Sequence, residues 1–266
     1  MMRRILLALA FAATLAAQTF IQMSDPQFGM YADNKGFEHE TANFEFAVAT
    51  ANRLKPAFVV LTGDLVNAAG DAAQIAEFKR VAARLNPNIR LFLMPGNHDV
   101  GNEPTKESLT KYREQFGPDY YTFRVGDITG IALNSNLEKG ALNVPDEAAK
   151  MEAWLQTELA KSQRDKHVIV FQHIPFFLND PNEEDRYENI PRETRQRYLK
   201  ILHEYGVKQV FAGHYHSTSE ARDGDLEMIT TGPVGKPVPP ARSGMRIVTV
   251  SPAGVTHKYH DFGDLP

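Results

Sequence analysis

The sequence predicts an α/β fold over one large domain, and three observations point to it. Compact runs of Val, Ile, Leu and Phe, of the kind buried on both faces of a sheet, recur between Phe20 and Ala212. Stretches with apolar residues at helical spacing alternate with them. From Glu227 onward the pattern turns to strand-like runs separated by Gly and Pro, with no helix.

Phe20 to Ser24 is the first strand candidate, followed by a polar stretch with Gly29 and Gly36. From His39 to Leu54, the positions Phe44, Ala47, Val48, Ala51 and Leu54 fall on one helical face. Ala57 to Thr62 reads as a buried strand, and Ile75, Phe78, Ala82 and Leu85 mark a helix that Asn86-Pro87 ends. Arg90 to Met94 is a strand stopped by Pro95-Gly96. Tyr120–Val125 and Ile128–Asn134 form a β pair around Gly126-Asp127. Pro145 opens a helix with Asp146 and Glu147 in its first turn and a buried stripe of Met151, Trp154, Leu155 and Leu159. His167 to Gln172 is a strand. A charged segment, Asn179 to Asn189, then leads into a helix from Pro191 to Tyr205, closed by Gly206. Val207–Ala212, Glu227–Thr231, Met245–Ser251 and Val255–Tyr259 complete the strands.

The 266 residues are 42% hydrophobic, which suffices for a sizeable core. A net charge of −4 gives no electrostatic reason to expect a nucleic-acid partner. Cysteine is absent, so any metal must be held by oxygen and nitrogen, and no thiolate nucleophile exists. The first residues have the pattern of an export signal: basic Met1-Met2-Arg3-Arg4, apolar Ile5 to Leu15, then small Ala16-Ala17. The expectation is therefore a signal over 1–17 and a folded domain over 18–266, exported to the periplasm or outside the cell. The apolar run is short for a bilayer, so no stable membrane anchor is expected.

Five short segments each place metal-ligating side chains after a strand-like run. They are Ser24-Asp25-Pro26-Gln27, Gly63-Asp64-Leu65-Val66-Asn67, Gly96-Asn97-His98-Asp99, Gln172-His173 and Gly213-His214-Tyr215-His216. Strand ends are where open α/β sheets gather ligands. Carboxylate, amide and imidazole suit Mn, Fe or Zn, and this many ligands exceeds what one tetrahedral ion takes. Singly, each segment has a plain structural reading: Asp64 as a helix cap, Asn97 in a tight turn, His173 as a core imidazole. Together, five at five strand ends point to a two-metal hydrolytic site. His39, His167, His203, His257 and His260 fall outside the pattern, and Glu183, Glu184 and Asp185 read as a solvated acidic loop. Phe28, Phe176 and Phe177 follow the motifs and read as core rather than pocket wall. Arg186 and Tyr187 are candidate contacts for a phosphate or its leaving group.

These motifs resemble the calcineurin-like metallophosphoesterases, whose signature runs D-x-H, G-D-x-x-[DN], G-N-H-[ED], a lone His, and G-H-x-H. The resemblance implies an αββα four-layer sandwich with a dinuclear centre at one edge. It implies that Asp25 and His216 hold one divalent ion, that Asn97, His173 and His214 hold the other, and that Asp64 bridges them. It further implies that His98 is the general acid, oriented by Asp99. Gln27 stands where most of the superfamily has His. Three readings of it are open: a weaker real ligand, a loosely held first ion, or a degenerate site that only binds. Asp25-Pro26-Gln27-Phe28-Gly29, His173-Ile174-Pro175, the insert Asp180 to Asn189 and the tail Gly244 to Val248 resemble a subgroup, the calcineurin-like phosphoesterase domain-containing proteins. In that subgroup Gln is the normal residue, which keeps Gln27 in the ligand set.

The implied function is a metal-dependent phosphoric ester hydrolase of phosphomonoesterase or protein-phosphatase type. It would use two ions (Mn, Fe or Zn) and a metal-bridging hydroxide, on a phosphorylated small molecule or a phosphoprotein. The alternatives are a phosphodiesterase acting on a cyclic nucleotide or other diester, and a non-catalytic metal- or phosphate-binding module.

Overall fold

A computed structural model describes residues 17–266, so the expected export signal lies outside the described residues except for Ala17. The elements run β1 (Gln18–Met23), α1 (Glu38–Leu54), β2 (Phe58–Thr62), α2 (Ala72–Ala82), β3 (Arg90–Met94), α3 (Asn97–Val100) and α4 (Lys106–Phe116). They continue with β4 (Tyr121–Val125), β5 (Ile128–Ala132), α5 (Asn136–Lys139), α6 (Pro145–Ser162), β6 (His167–Phe171) and α7 (Arg192–Glu204). The chain finishes with β7 (Gln209–Ala212), β8 (Ser219–Asp223), β9 (Leu226–Thr230), β10 (Gly244–Ser251) and β11 (Gly254–Asp261).

The strands form two sheets, ordered β11-β10-β1-β2-β3 and β4-β5-β6-β7-β9-β8. β1, β2 and β3 are parallel, as are β5, β6, β7 and β9. Every parallel strand therefore delivers its C-terminal end to one edge of its sheet. Residues alternate across each strand, so one face of each sheet meets the other sheet and the opposite face meets helices. Between the sheets lies an aromatic layer. Phe20 and Phe58 stack at 4.7 Å, and their edges meet Phe171 at 5.7 Å and Phe123 at 5.5 Å from the second sheet. On the outer faces, Ile21, Val59 and Leu61 pack with Phe44 and Val48 of α1 and Phe78 of α2. Ile131, Val170 and Val210 pack with Met151 and Leu155 of α6 and Tyr198 of α7. This is the αββα sandwich.

A polar seam crosses the same interface below the strand ends. Gln22 donates to Thr62 Oγ1 and to the Ala212 carbonyl at 3.1 and 2.9 Å, and Thr231 donates to Gln22 Oε1 at 2.6 Å. Arg246, fully buried on β10, donates through Nε to Thr231 and reaches Glu220 at 2.6 Å. A buried amide with both ends satisfied on two sheets fixes how those sheets sit against each other.

The polar edge strand β8 and helix α4 were not expected. In Ser219–Asp223 the side chains alternate only between half-buried and exposed, so no hydrophobic alternation marks the strand. α4 buries only Leu109 and Tyr112 and is otherwise mostly charged or polar. Phe28, Phe176 and Phe177 are fully buried. Phe28 meets Phe37, Phe44 and Phe78 edge-on, in the helix layer rather than at a pocket wall.

The aromatic layer makes a stability prediction. Phe58 is fully buried with Phe20, Phe92 and Phe123 around its ring. Phe58→Ala should cost about 3–5 kcal/mol, the range for emptying a packed aromatic site. Urea unfolding checks it, and a loss below about 1 kcal/mol would show that the sheets close over the gap without strain.

Candidate metal centre

Each expected ligand lies within a few residues of a strand's C-terminal end, and both sheets contribute. Asp25 and Gln27 follow β1, Asp64 follows β2, and Asn97 follows β3; His173 follows β6, and His214 and His216 follow β7. The chain bends sharply to aim them. Among the described residues, eight non-glycine residues have positive φ, and five of these are Asp25, Gln27, Asp64, His214 and His216. Left-handed backbone costs an L-residue on the order of 1–2 kcal/mol, so the concentration of strain here marks a site that constrains its own backbone. The motif glycines give room. A Cβ on Gly96 would lie 2.1 Å from Asp64 Oδ1, and one on Gly213 would lie 1.7 Å from Ser24 Oγ.

The structure brings all seven expected ligands into one buried place, none more than 7% exposed. Two clusters share a member. Asp64, His173 and His214 form one, Asp25, Asp64 and His216 the other, with ligand atoms within 4.8 Å of one another in each. His173 Nε2 stands 3.3 Å from Asp64 Oδ1, 3.1 Å from Asn97 Oδ1 and 3.2 Å from His214 Nδ1. His216 Nε2 stands 3.4 Å from Asp25 Oδ1.

Main-chain carbonyls set the polarity of the rings. His173 Nδ1–H donates to the Thr62 carbonyl at 2.7 Å, His214 Nε2–H to Tyr187 at 3.1 Å, and His216 Nδ1–H to Lys236 at 2.5 Å. Each ring is thereby left with a lone pair turned inward. Asp25 Oδ1 and Gln27 Oε1 are also buried without a hydrogen-bond partner. Gln27 Nε2 is committed to Asn67 Oδ1 at 3.2 Å, so the amide oxygen is the free atom. The centre is lined by acceptors facing acceptors, a donor set that fits a divalent cation of the borderline class.

The electrostatics point the same way. Burial would raise the Asp64 carboxyl, but His173, with help from His98 and His214, holds it below the ordinary carboxylate range. Burial would lower His173, yet Asp64 and Asp25 lift it to about 9. Burial and the neighbouring His173 push His214 down to about 3. Burial raises Asp25. Of the His173 and His214 rings, His173 is the one its carboxylate neighbours lift.

His98 is half-buried beside this cluster, and its Nδ1–H donates to the Asn67 carbonyl at 2.9 Å. The expectation that Asp99 orients it needs correction. Asp99 accepts from the main-chain N–H groups of Leu65, Val66 and Gly96 at 2.8–3.2 Å, clasping the Asp64 loop to the Asn97 loop. It is a buried loop staple whose carboxyl burial pushes up to about 7, and the Asn67 carbonyl is the partner of His98. Asn67 thus orients both Gln27 and His98, a role carried in the sequence only by the fifth position of Gly63-Asp64-Leu65-Val66-Asn67. In the acidic loop Glu184 and Asp185 are exposed, as expected, whereas Glu183 is turned inward. Glu183 accepts from the N–H groups of Leu178 and Asn179 and from Asn189 Nδ2, at 2.8–2.9 Å.

Fold and site together define a hydrolase centre built on metal ligands at the strand ends of a two-sheet sandwich. The chain belongs to the calcineurin-like phosphoesterase family, which residues 19–218 match. It is 36% identical over 263 residues to the serine/threonine-protein phosphatase CPPED1 of Bos taurus, covering 92% of this chain and 84% of that protein. The CPPED1 of Danio rerio is 35% identical over 263 residues, covering 92% and 85%. In fold it is similar to a purple acid phosphatase from yellow lupin seeds, with a TM-score of 0.70 at 12% identity, covering 94% of this chain and 52% of that one. It is a metal-dependent hydrolase of phosphoric esters.

The raised His173 makes a testable linkage. Its ordinary value of 6.5 rises to about 9 in the folded metal-free protein, so its stabilising contribution is complete below about 6.5 and lost as pH climbs through about 9. A cation bound at the same lone pair would compete with that proton, so uptake near neutral pH should expel about one proton or more per chain. Calorimetric Mn titration in buffers of different ionisation enthalpy reads this release directly. Heats that do not depend on the buffer would contradict it.

Proposed function

We propose that the enzyme is a phosphomonoesterase of protein-phosphatase type working with two divalent cations (Mn, Fe or Zn) that share Asp64. The observation carrying this reading is the membership of Asp64 in both ligand clusters. A carboxylate offers an oxygen to each of two ions, whereas an imidazole lone pair serves one. Asp25, Gln27 and His216 complete the first position; Asn97, His173 and His214 complete the second. Gln27 enters as a true ligand because its Oε1 is the buried, unpartnered atom of a fixed amide. When bound, the cations acidify a water and neutralise charge on the phosphoryl oxygens.

The chain's own residues do the rest. His98, with Nδ1–H tied to the Asn67 carbonyl, keeps Nε2 for the oxygen of the departing alcohol; as the imidazolium it gives up the Nε2 proton to that oxygen and is left as the neutral ring. Retention of this acid separates a hydrolase from a binding module. The cleft over the ligands holds about 280 Å³ and is walled by Met30, Tyr187, Glu188, Tyr215 and Val238. That volume accommodates a phosphoryl group with a short portion of its carrier, which suits a phosphate presented on a polypeptide or small ester. The CPPED1 relatives, named serine/threonine-protein phosphatases, support the same substrate class.

Reconstituted with Mn, the protein should hydrolyse 4-nitrophenyl phosphate and a phosphoserine peptide faster than bis(4-nitrophenyl) phosphate. A preference for the diester would overturn the monoesterase reading. His98→Ala should slow esters of poor leaving groups by about 10²–10⁴-fold, the scale of general acid catalysis, and esters of acidic phenols far less. Equal losses for both leaving groups would remove His98 from the acid role.

A further inference from the structure

Between β6 and α7 the chain makes an excursion over the cleft. Tyr187 sits on it, with 54% of its surface exposed, so burial of the ring is not what fixes its place. Its polar atoms are engaged instead. The Tyr187 hydroxyl accepts a hydrogen bond from Asn97 Nδ2 at 3.0 Å, and its main-chain carbonyl accepts from His214 Nε2 at 3.1 Å. Its ring lies 4.9 Å from the His214 ring.

These two contacts have a common consequence. An Asn amide has an acceptor end and a donor end, and only the oxygen can face a cation. With Nδ2 held outward by Tyr187, Oδ1 is the atom that meets His173 Nε2 at 3.1 Å. An imidazole likewise has one ring nitrogen for a cation and one for an acceptor. With Nε2 held by the Tyr187 carbonyl, Nδ1 faces inward. One residue on the excursion thus selects the ligating atom of two side chains delivered by different sheets.

The excursion is anchored for this task from below. Lys139 Nζ, on α5, donates to the carbonyls of Arg186 and Asn189 at 2.5 Å each, bracketing Tyr187. Fully buried Arg195 donates to the Glu183 carbonyl at 2.7 Å, and Arg192 N–H to Asp185 at 2.7 Å.

We infer that Tyr187 is a positioning residue that fixes Asn97 and His214 in their metal-ligating orientation, with Lys139 holding it over the site. The inference rests on the two-cation reading and is tested separately from it. Tyr187→Phe removes only the hydroxyl acceptor and leaves the ring and carbonyl. Mn titration of metal-free protein should then show one of two binding steps weakened by about 10–100-fold, the usual effect of losing a partner of a ligand, with the other step unchanged. The visible spectrum of the Co(II)-loaded protein should change at that step, and the unfolding midpoint of the metal-free protein should not move. Lys139→Met, remote from every ligand, should weaken the same step. If wild type shows two steps and Tyr187→Phe leaves both intact, Tyr187 is not a positioning residue. If both steps weaken together with a lower unfolding midpoint, its role is general stability and the inference fails. A wild-type protein with fewer than two steps removes the two-cation reading, and the inference with it.

Discussion

Acceptors that face one another without a donor between them are the constraint on which this structure depends. Asp25, Gln27, Asp64 and Asn97 present oxygens, and His173, His214 and His216 present lone pairs, all in a desolvated space at the junction of two sheets. Two carboxylate charges about 4 Å apart repel by about 4 kcal/mol at an effective dielectric of about 20. Water is excluded from most of these atoms, so positive charge must come from a proton or a cation. Against its burial, Asp64 and Asp25 pull His173 upward.

The fold is organised to bring those acceptors together against that repulsion. Parallel strands direct the chain of each sheet to one edge, and the Gln22, Thr62, Thr231 and Arg246 seam sets the two edges in register. Thr62 belongs to both systems: its hydroxyl meets Gln22 and its carbonyl holds His173. A shift of the sheets would therefore be felt at a ligand directly. The left-handed backbone at Asp64 persists because Asp99 over-determines its loop, while at Asp25, Gln27 and His214 the N–H groups are held by the Gly63 and Asp64 carbonyls and by the Asp25 carboxylate.

Much of this was legible in the sequence. The buried strand Phe58–Thr62 announces itself through its apolar run, as does the half-buried edge strand Arg90–Met94, and the candidate ligands sit where those runs end. The glycines before Asp64, Asn97 and His214 are explained by the space their neighbours occupy. What the sequence did not carry are contacts between main-chain groups and side chains brought together by the fold. The carbonyl of Asn67 behind His98, those of Thr62, Tyr187 and Lys236 behind the three ligand rings, and the three N–H groups gathered by Asp99 have no residue-type signature. Edge strand β8 and helix α4 escaped for a related reason, since solvent-facing elements bury too little apolar surface to show a period. Arg246 reads as an ordinary strand cation until the neighbouring sheet encloses it.

The measurement closest to the central claim is metal stoichiometry of wild type and Asp64→Asn, loaded with Mn, freed of loosely held ions and analysed by plasma mass spectrometry. If Asp64 joins two cations, wild type should retain about two ions per chain and the variant should lose metal from both positions, as expected when a bridging ligand is removed. One ion per chain in wild type, or a variant that keeps its full complement, would contradict the shared-carboxylate centre.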